Sequence, residues 1–494
     1  MPSTIHFNLA AEARTTMLEH GFQPDFSADA QKQLAAIVAD PPQADAVLTD
    51  GGAKDLRSLF WSSIDNDTSK DLDQIEYAEP LADGRIRVLV GVADVDGTVK
   101  RGTPLDAHAA SETTSVYTGV RTFPMFPAEL SEGLTSLNEN QDRAAVVTEF
   151  CVAEHGICSE GAIYRALVRN RAQLAYNAVG AWLEGKSDAP AKVAASEELQ
   201  KQLRLQDKAA QWMVGARFQH GALDLETIET RPVMKAGGGD DPVDLVRQQK
   251  NRATSLIEEF MVAANGVMAR FLEAAGVASL RRIVRVPKRW ERIVELANGL
   301  GTSLPAEPDS KALNEFLLAQ RAKDPVHFPD LSLAVIKLMG PGEYVMVKPG
   351  EESPGHFGLA ARDYTHSTAP NRRFPDVVTQ RLLKAVEAKA NSPYSADELG
   401  AIAARCTLME DAERKVEREM TKRIAAVVLH PKIGQSFAGI VTGVNQHGTF
   451  VRALEPHVEG MVVRGGKGLD VGDRVTVKLV GTNPERGFID FEVR

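Results

Sequence analysis

The densest chemistry in this 494-residue chain lies in SSIDNDTSKDLDQIEYAE, where Asp65, Asp67, Asp71, Asp73 and Glu76 fall within twelve residues beside a single base, Lys70. So many like charges repel one another. In an extended segment Asp71 and Asp73 point to the same face, and the turn-forming NDTS returns Asp65 to that side. Converging ionised carboxylates suit a hard divalent cation, and magnesium takes a few carboxylates while keeping waters and substrate phosphate oxygens. That layout serves metal-assisted phosphodiester hydrolysis, in which ions activate water and stabilise the leaving oxygen. A solvated acidic turn has the same spacing, and spacing alone does not separate the two.

Charge of the opposite sign appears in YTHSTAPNRRFPD, where Arg372 and Arg373 follow the hydroxyls of Thr365, Ser367 and Thr368. A planar guanidinium holds two phosphate oxygens at once and offsets charge that builds in a transition state. A surface Arg pair in a turn is the plainer alternative. The run from Arg281 to Arg292 carries six bases, among them Arg281, Arg282 and Arg285, against the single acid Glu291. It fits a phosphate-tracking wall with Trp290 as a base stacker, and equally an exposed helix start after Pro287. Zinc chemistry lacks its ligand spacing, since His356 and His366 stand alone and Cys151, Cys158 and Cys406 are scattered. No GxSxG elbow for a serine nucleophile occurs.

The elements that must position these residues fall into three parts. Asn8 and Ser27 cap two short predicted helices, the second with Leu34, Ile37 and Val38 on its apolar side, and DPPQADAVLTDGGAKD ends this N-terminal segment near residue 54. Residues 55–432 mix alternating strands such as RIRVLVGVADV with long helices such as LIEEFMVAANGVMARFLEAAG, which Gly276 stops. The run AGGGDDP lacks the Lys-Ser/Thr of a phosphate loop and reads as a solvated turn. Residues 433–494 hold five short strands with the spacing of an OB-fold barrel. There Arg474 and Lys478 share one face of RVTVKLV, and Phe437 and Phe450 are either base stackers or barrel core. The expected class is therefore α+β, with a terminal barrel and a small helical N-terminal unit, for which helix-turn-helix is one reading and a plain packing appendage the preferred one, since no Arg or Lys cluster marks a groove-reading helix. Hydrophobic residues at 43% and charged residues at 25% match a globular protein. No apolar stretch reaches the length of a membrane span, which with the lack of a signal pattern gives a cytoplasmic expectation. The net charge of −10 argues against holding nucleic acid through overall charge, though not against local basic surface.

IDNDTSKDLDQ resembles the IDxxxxxDxDD signature of the ribonuclease II and ribonuclease R family of exoribonucleases. VADVDGTVKRGTPLD, TSVYTGVRTFPMFPAELSEGLTSLN, GALDL, LIEEFMVAAN and HFGLAARDYTHSTAPNRRFPDVVTQRLL follow in the family's order, and the resemblance covers about residues 55–432. It implies an RNB catalytic domain that hydrolyses single-stranded RNA from the 3′ end, acts as a monomer without an organic cofactor, and uses magnesium, with manganese as a substitute. Asp65, Asp71 and Asp73 become magnesium-site carboxylates, with Asp71, Asp73 and Arg372 serving the chemistry. The family's fourth aspartate falls at Gln74, whose carbonyl binds a cation without adding charge. A non-hydrolytic RNA binder is the alternative that this exchange raises. Tyr117 aligns with a base-stacking aromatic, Glu417 with a glutamate near the terminal nucleotide, and Arg373 flanks the phosphate-binding Arg372. The cold-shock barrels of larger members do not fit in the 54 residues ahead of this region, so the two-helix segment is expected to shape a more open channel mouth in their place.

Overall fold

The computed structural model describes residues 7–49, 52–235 and 242–494. Its centre is a six-stranded sheet ordered Lys54–Asp55, Cys158–Ala175, Trp61–Asp65, Gln74–Pro80, Ile86–Ala93, Asp142–Val152. The long Cys158–Ala175 strand runs parallel to Trp61–Asp65 and also pairs antiparallel with Asp142–Val152, so the sheet curls round to meet itself. IRVLVGVA is apolar on nearly every position because both faces of that strand are covered. The helix Arg252–Ala274 lays Leu256, Phe260, Ala264 and Val267 on the sheet at the predicted three- and four-residue steps. It ends as predicted, with Gly276 at φ +69°, a conformation that a side chain would strain.

The acidic segment leaves the sheet at Asp65 and rejoins it at Gln74. Between these points it is tied down by backbone groups: Leu72 N–H donates to Ser136 Oγ at 2.9 Å, and Leu137 N–H to the Leu72 carbonyl at 2.9 Å. Ala93 N–H donates to the Asp73 carbonyl at 2.9 Å. The self-repelling run is thus held by neutral hydrogen bonds to neighbours distant in sequence.

After a 34-residue helix, Ala396–Leu429, the chain closes a five-stranded barrel from Ser436–Asn445, Gly448–Leu454, His457–Arg464, Arg474–Asn483 and Phe488–Val493. These are the five predicted runs. The N-terminal segment does not form a helix-turn-helix unit. Leu9–Glu19 and Ala28–Ala39 carry the expected Asn8 and Ser27 caps, yet the first packs on the Ala396–Leu429 helix and the second on Pro104–Glu112. Leu34 and Ile37 reach the body core while Val38 is exposed, which narrows the expected apolar side. Leu9, Ala13 and Met17 share one apolar cluster with Met420 and Ile424 of the long helix and with Val441, Val477 and Phe491 of the barrel. The GGGDD run at 237–241 lies outside the described residues.

Arg423 stitches these three parts. Its side chain bonds Glu12 at 3.1 Å and Thr16 on the N-terminal helix, and donates to the Glu485 carbonyl of the barrel at 3.1 Å. Replacing Arg423 with Ala strands a part-buried acid and a carbonyl. The expected cost is about 2 kcal/mol, in the range for hydrogen bonds to charged groups. Denaturant unfolding checks this, and limited proteolysis should show earlier release of the first helix.

Candidate active site and channel

Asp65, at the end of its strand, accepts from Asn66 N–H at 2.7 Å and Ser69 Oγ at 2.8 Å, which folds the NDTS turn as the sequence suggested. Asp71 accepts from the Tyr117 hydroxyl at 2.6 Å. Asp73 is only 2% exposed, and its Oδ1 accepts from Asn371 N–H at 2.8 Å while Oδ2 lies 3.3 Å from Arg372 Nε. Three of the five acids therefore face one another and Arg372. Of the other two, Asp67 turns outward to Arg231 at 2.8 Å, while Glu76 is buried in its strand with both carboxyl oxygens lacking a protein partner, and burial and the charge of Asp65 raise its carboxyl. Gln74 begins that same strand and is 9% exposed.

The arginine loop is positioned by backbone pairing. Ser115 N–H donates to the Arg372 carbonyl at 3.0 Å and Phe374 N–H to the Thr113 carbonyl at 2.9 Å, so the segment carrying Tyr117 and the loop carrying Arg372 are tied together. Thr135 Oγ1 donates to Asn371 Oδ1 at 2.6 Å and holds the residue whose N–H grips Asp73. Neither Asn371 nor Thr135 announces itself in the sequence, because an N–H donor is present at almost every residue. Arg373, expected at the RNA, points inward to Asp376 at 2.8 Å and builds the wall behind the site.

Burial pushes the Asp73 carboxyl up to about 7 against the pull of Arg372, and the charge on Asp71 adds to the rise. Burial also raises Asp65, with Asp71 again contributing. The Tyr117 hydroxyl is pushed up by burial and by Asp71, so it keeps its proton and serves as a donor. Among the described residues no three Asp, Glu, His or Cys side chains close into a ready metal cage. The donor chemistry nonetheless fits a hard cation: hard oxygens that raise one another's proton affinity are relieved by positive charge between them.

From Tyr117 a channel of about 1350 Å³ runs between body and barrel. Asn66 and Thr68, from the turn that follows Asp65, line its inner end, Phe450 and Phe488 the barrel side. Arg414, Arg418 and Lys422, spaced four residues apart on the long helix, form a basic stripe along it with Glu417. Burial raises the Glu417 carboxyl while the Tyr117 N–H opposes the rise, which places Glu417 beside Tyr117. The stripe replaces the wall expected from Arg281 to Arg292. Arg281 and Arg282 are buried, paired with Glu273 at 3.2 Å and Glu410 at 2.7 Å, and Arg285 is paired with Glu343 away from the channel. Trp290 is buried too, its indole N–H on the Pro305 carbonyl. Their strand is interior, so the charge of Arg281 and Arg282 serves ion pairs, whereas Lys288, Arg289 and Arg292 lie on an exposed helix start after Pro287, away from the channel lining. Arg474 and Lys478 lie on a barrel strand that contributes nothing to the channel lining, and Phe437 packs edge-on against Phe491. No described residue of the first 49 lines the channel either, in contrast to the expected mouth.

Fold and site define a two-part class: an α+β body that presents carboxylates and an arginine, joined to a barrel across a basic channel. The chain belongs to the RNB-domain family, with residues 53–389 matching the RNB domain and residues 435–494 the RNase II-type exonuclease C-terminal S1 domain. The resemblance carried by IDNDTSKDLDQ is thereby borne out. Ribonuclease R of Vibrio cholerae is 29% identical, covering 98% of this chain and 61% of that protein, and Ribonuclease R of Escherichia coli is 29% identical, covering 94% and 59%. The chain thus spans about three fifths of the length of these curated relatives. Mycoplasma genitalium RNase R in complex with ribose methylated single-stranded RNA shares the fold, with a TM-score of 0.85 at 23% identity over 98% of this chain and 78% of that one.

The raised Asp73 carboxyl gives a signed pH dependence. The folded chain binds a proton there that the unfolded chain does not, so this contribution to stability is present at low pH and lost as pH rises through about 7. A divalent cation held at Asp73 would compete with that proton. Magnesium should therefore raise the melting temperature more at about pH 8 than at about pH 6, and Asp73→Asn should flatten the difference. Calorimetric melts across that range are the measurement.

Proposed function

We propose that this chain is a 3′-to-5′ exoribonuclease that hydrolyses single-stranded RNA and releases nucleoside 5′-monophosphates in RNA turnover. The observation that carries the reading is that Tyr117, which lines the basic channel, donates its hydroxyl to Asp71 of the carboxylate and arginine site. Phosphates track along Arg414, Arg418 and Lys422, and bases meet Phe450 and Phe488, whose rings accept any base. At the inner end the Tyr117 ring stacks on a base while its hydroxyl holds Asp71. Arg372 is 45% exposed on its side chain, enough to reach a phosphate, and offsets the negative charge that grows on the phosphoryl oxygens as the attacking water adds and the 3′ oxygen leaves. Asp65, Asp71, Asp73 and the Gln74 carbonyl would hold magnesium, which lowers the pKa of bound water and neutralises the leaving oxygen. Asn371 N–H keeps Asp73 aimed at that position.

Gln74 favours one alternative, an RNA-binding relative with impaired catalysis, because an amide supplies an oxygen but no charge. A 5′-labelled oligoribonucleotide with titrated magnesium or manganese separates the two. A ladder shrinking to short remnants is expected from wild type, at lower magnesium for Gln74→Asp, and none from Asp73→Asn, which should still bind RNA. An unshortened band at every metal concentration would leave only the binder.

The channel assignment has its own test. Changing Arg414, Arg418 and Lys422 together to Ala should lower the slope of log affinity against log salt by about 2, at ~0.7 per phosphate contact on a single strand. Fluorescence anisotropy over a salt series reads the slope, and an unchanged slope would place the phosphates elsewhere.

A further inference from the structure

One wall of the channel is discontinuous. On one side the barrel is continuous with the body, since its core and that of the Ala396–Leu429 helix are one apolar cluster. Elsewhere it faces the helix Phe328–Met339, which packs with Trp290–Gly299 and Ser310–Lys323 around a separate cluster that includes Ile293, Phe316 and Phe328. The two clusters have no buried residue in common. Among the described residues, a single ion pair joins the barrel strands to these helices. Arg452 of Gly448–Leu454 grips Asp330 with both ends of its guanidinium, Nη2 to Oδ2 at 2.9 Å and Nη1 on Oδ1. Both residues line the channel.

We propose that the Arg452–Asp330 pair is a latch in the channel wall, and that these two residues determine how long a single strand is retained between cleavages. The inference rests on the channel being the RNA path. A bidentate guanidinium–carboxylate contact is directional enough to hold two surfaces in register. The contact is also one that opens. The side chains are 12% and 27% exposed, so water reaches the pair, and the apolar clusters on either side need not be broken to part it.

Local structure favours the same two states. Asp330 sits in the first turn of its helix, where the amide dipoles stabilise its charge whether or not Arg452 is engaged. Arg452 Nε is buried without a protein partner, so the guanidinium keeps one donor unused in the closed state. A phosphate entering from the side offers Arg452 the same paired oxygens that Asp330 does, and exchange of one anion for the other opens the wall without stranding the cation. Once the strand lies deeper, along Arg414, Arg418 and Lys422, Asp330 recaptures Arg452 and the wall closes behind it.

The test uses the full chain with metal chelated, so that hydrolysis does not intervene. A labelled single-stranded RNA long enough to fill the channel is bound, and its release is followed after adding excess unlabelled RNA. Arg452→Ala and the isosteric Asp330→Asn should each speed release about tenfold, since losses at an interface fall mainly on the dissociation rate. The exchanged pair Asp330→Arg with Arg452→Asp should return it toward wild type, and melts confirm that each variant is folded. Release from Asp330→Asn at the wild-type rate would overturn the latch, and faster release from Arg452→Ala alone would make Arg452 a phosphate ligand instead. A wild-type chain that binds no RNA would sink the channel reading itself, and the latch with it.

Discussion

Asp73 is where the site is assembled. Its carboxylate takes the Asn371 N–H on one oxygen and faces Arg372 Nε on the other, which joins the acidic segment to a loop nearly three hundred residues later. Burial makes that carboxylate costly to ionise, and the surrounding structure is arranged to meet the cost. The Asp73 carbonyl is occupied by Ala93 N–H, the Asn371 side chain by Thr135, and the arginine loop by the Thr113–Ser115 backbone. If Asp73 were free to turn, the Arg372 guanidinium would lose its carboxylate partner at 3.3 Å.

The same constraint explains why Tyr117 and Arg372 share a rigid frame. Both lie on segments paired through Ser115 and Phe374, and Tyr117 reaches back to Asp71, so ring, phenol, guanidinium and carboxylates are set relative to one another by backbone hydrogen bonds. Such bonds hold geometry within a few tenths of an ångström, as long flexible side chains packed only on each other would not. The basic stripe of Arg414, Arg418 and Lys422 is rigid for a different reason. It rides on a 34-residue helix clamped by the first helix and the barrel through Arg423.

Net charge misleads for such a protein. The total of −10 is consistent with a basic stripe of Arg414, Arg418 and Lys422 along the channel, because many of the acids gather at the site and in ion pairs. The run from Arg281 to Arg292 shows the converse. It is the most basic short stretch singled out in the sequence, yet Arg281 and Arg282 are interior and matched to Glu273 and Glu410.

Much of the chemistry was legible from residue order: the spacing of Asp65, Asp71 and Asp73, the Arg372 block, the five barrel strands, and the Asn8, Ser27 and Gly276 helix signals. These are local properties, set by period, turn residues and capping groups within a few positions of one another. What depends on partners far along the chain was decided only by tertiary structure. That includes which arginines face water, the inward turn of Arg373, the turning of Asp67 away from the other acids, the burial of Glu76, the placing of Arg474 and Lys478 off the channel, and the meeting of Arg452 with Asp330. A guanidinium reads the same in sequence whether it meets a phosphate or a buried glutamate, because its role is set by the burial and charge that other segments bring to it.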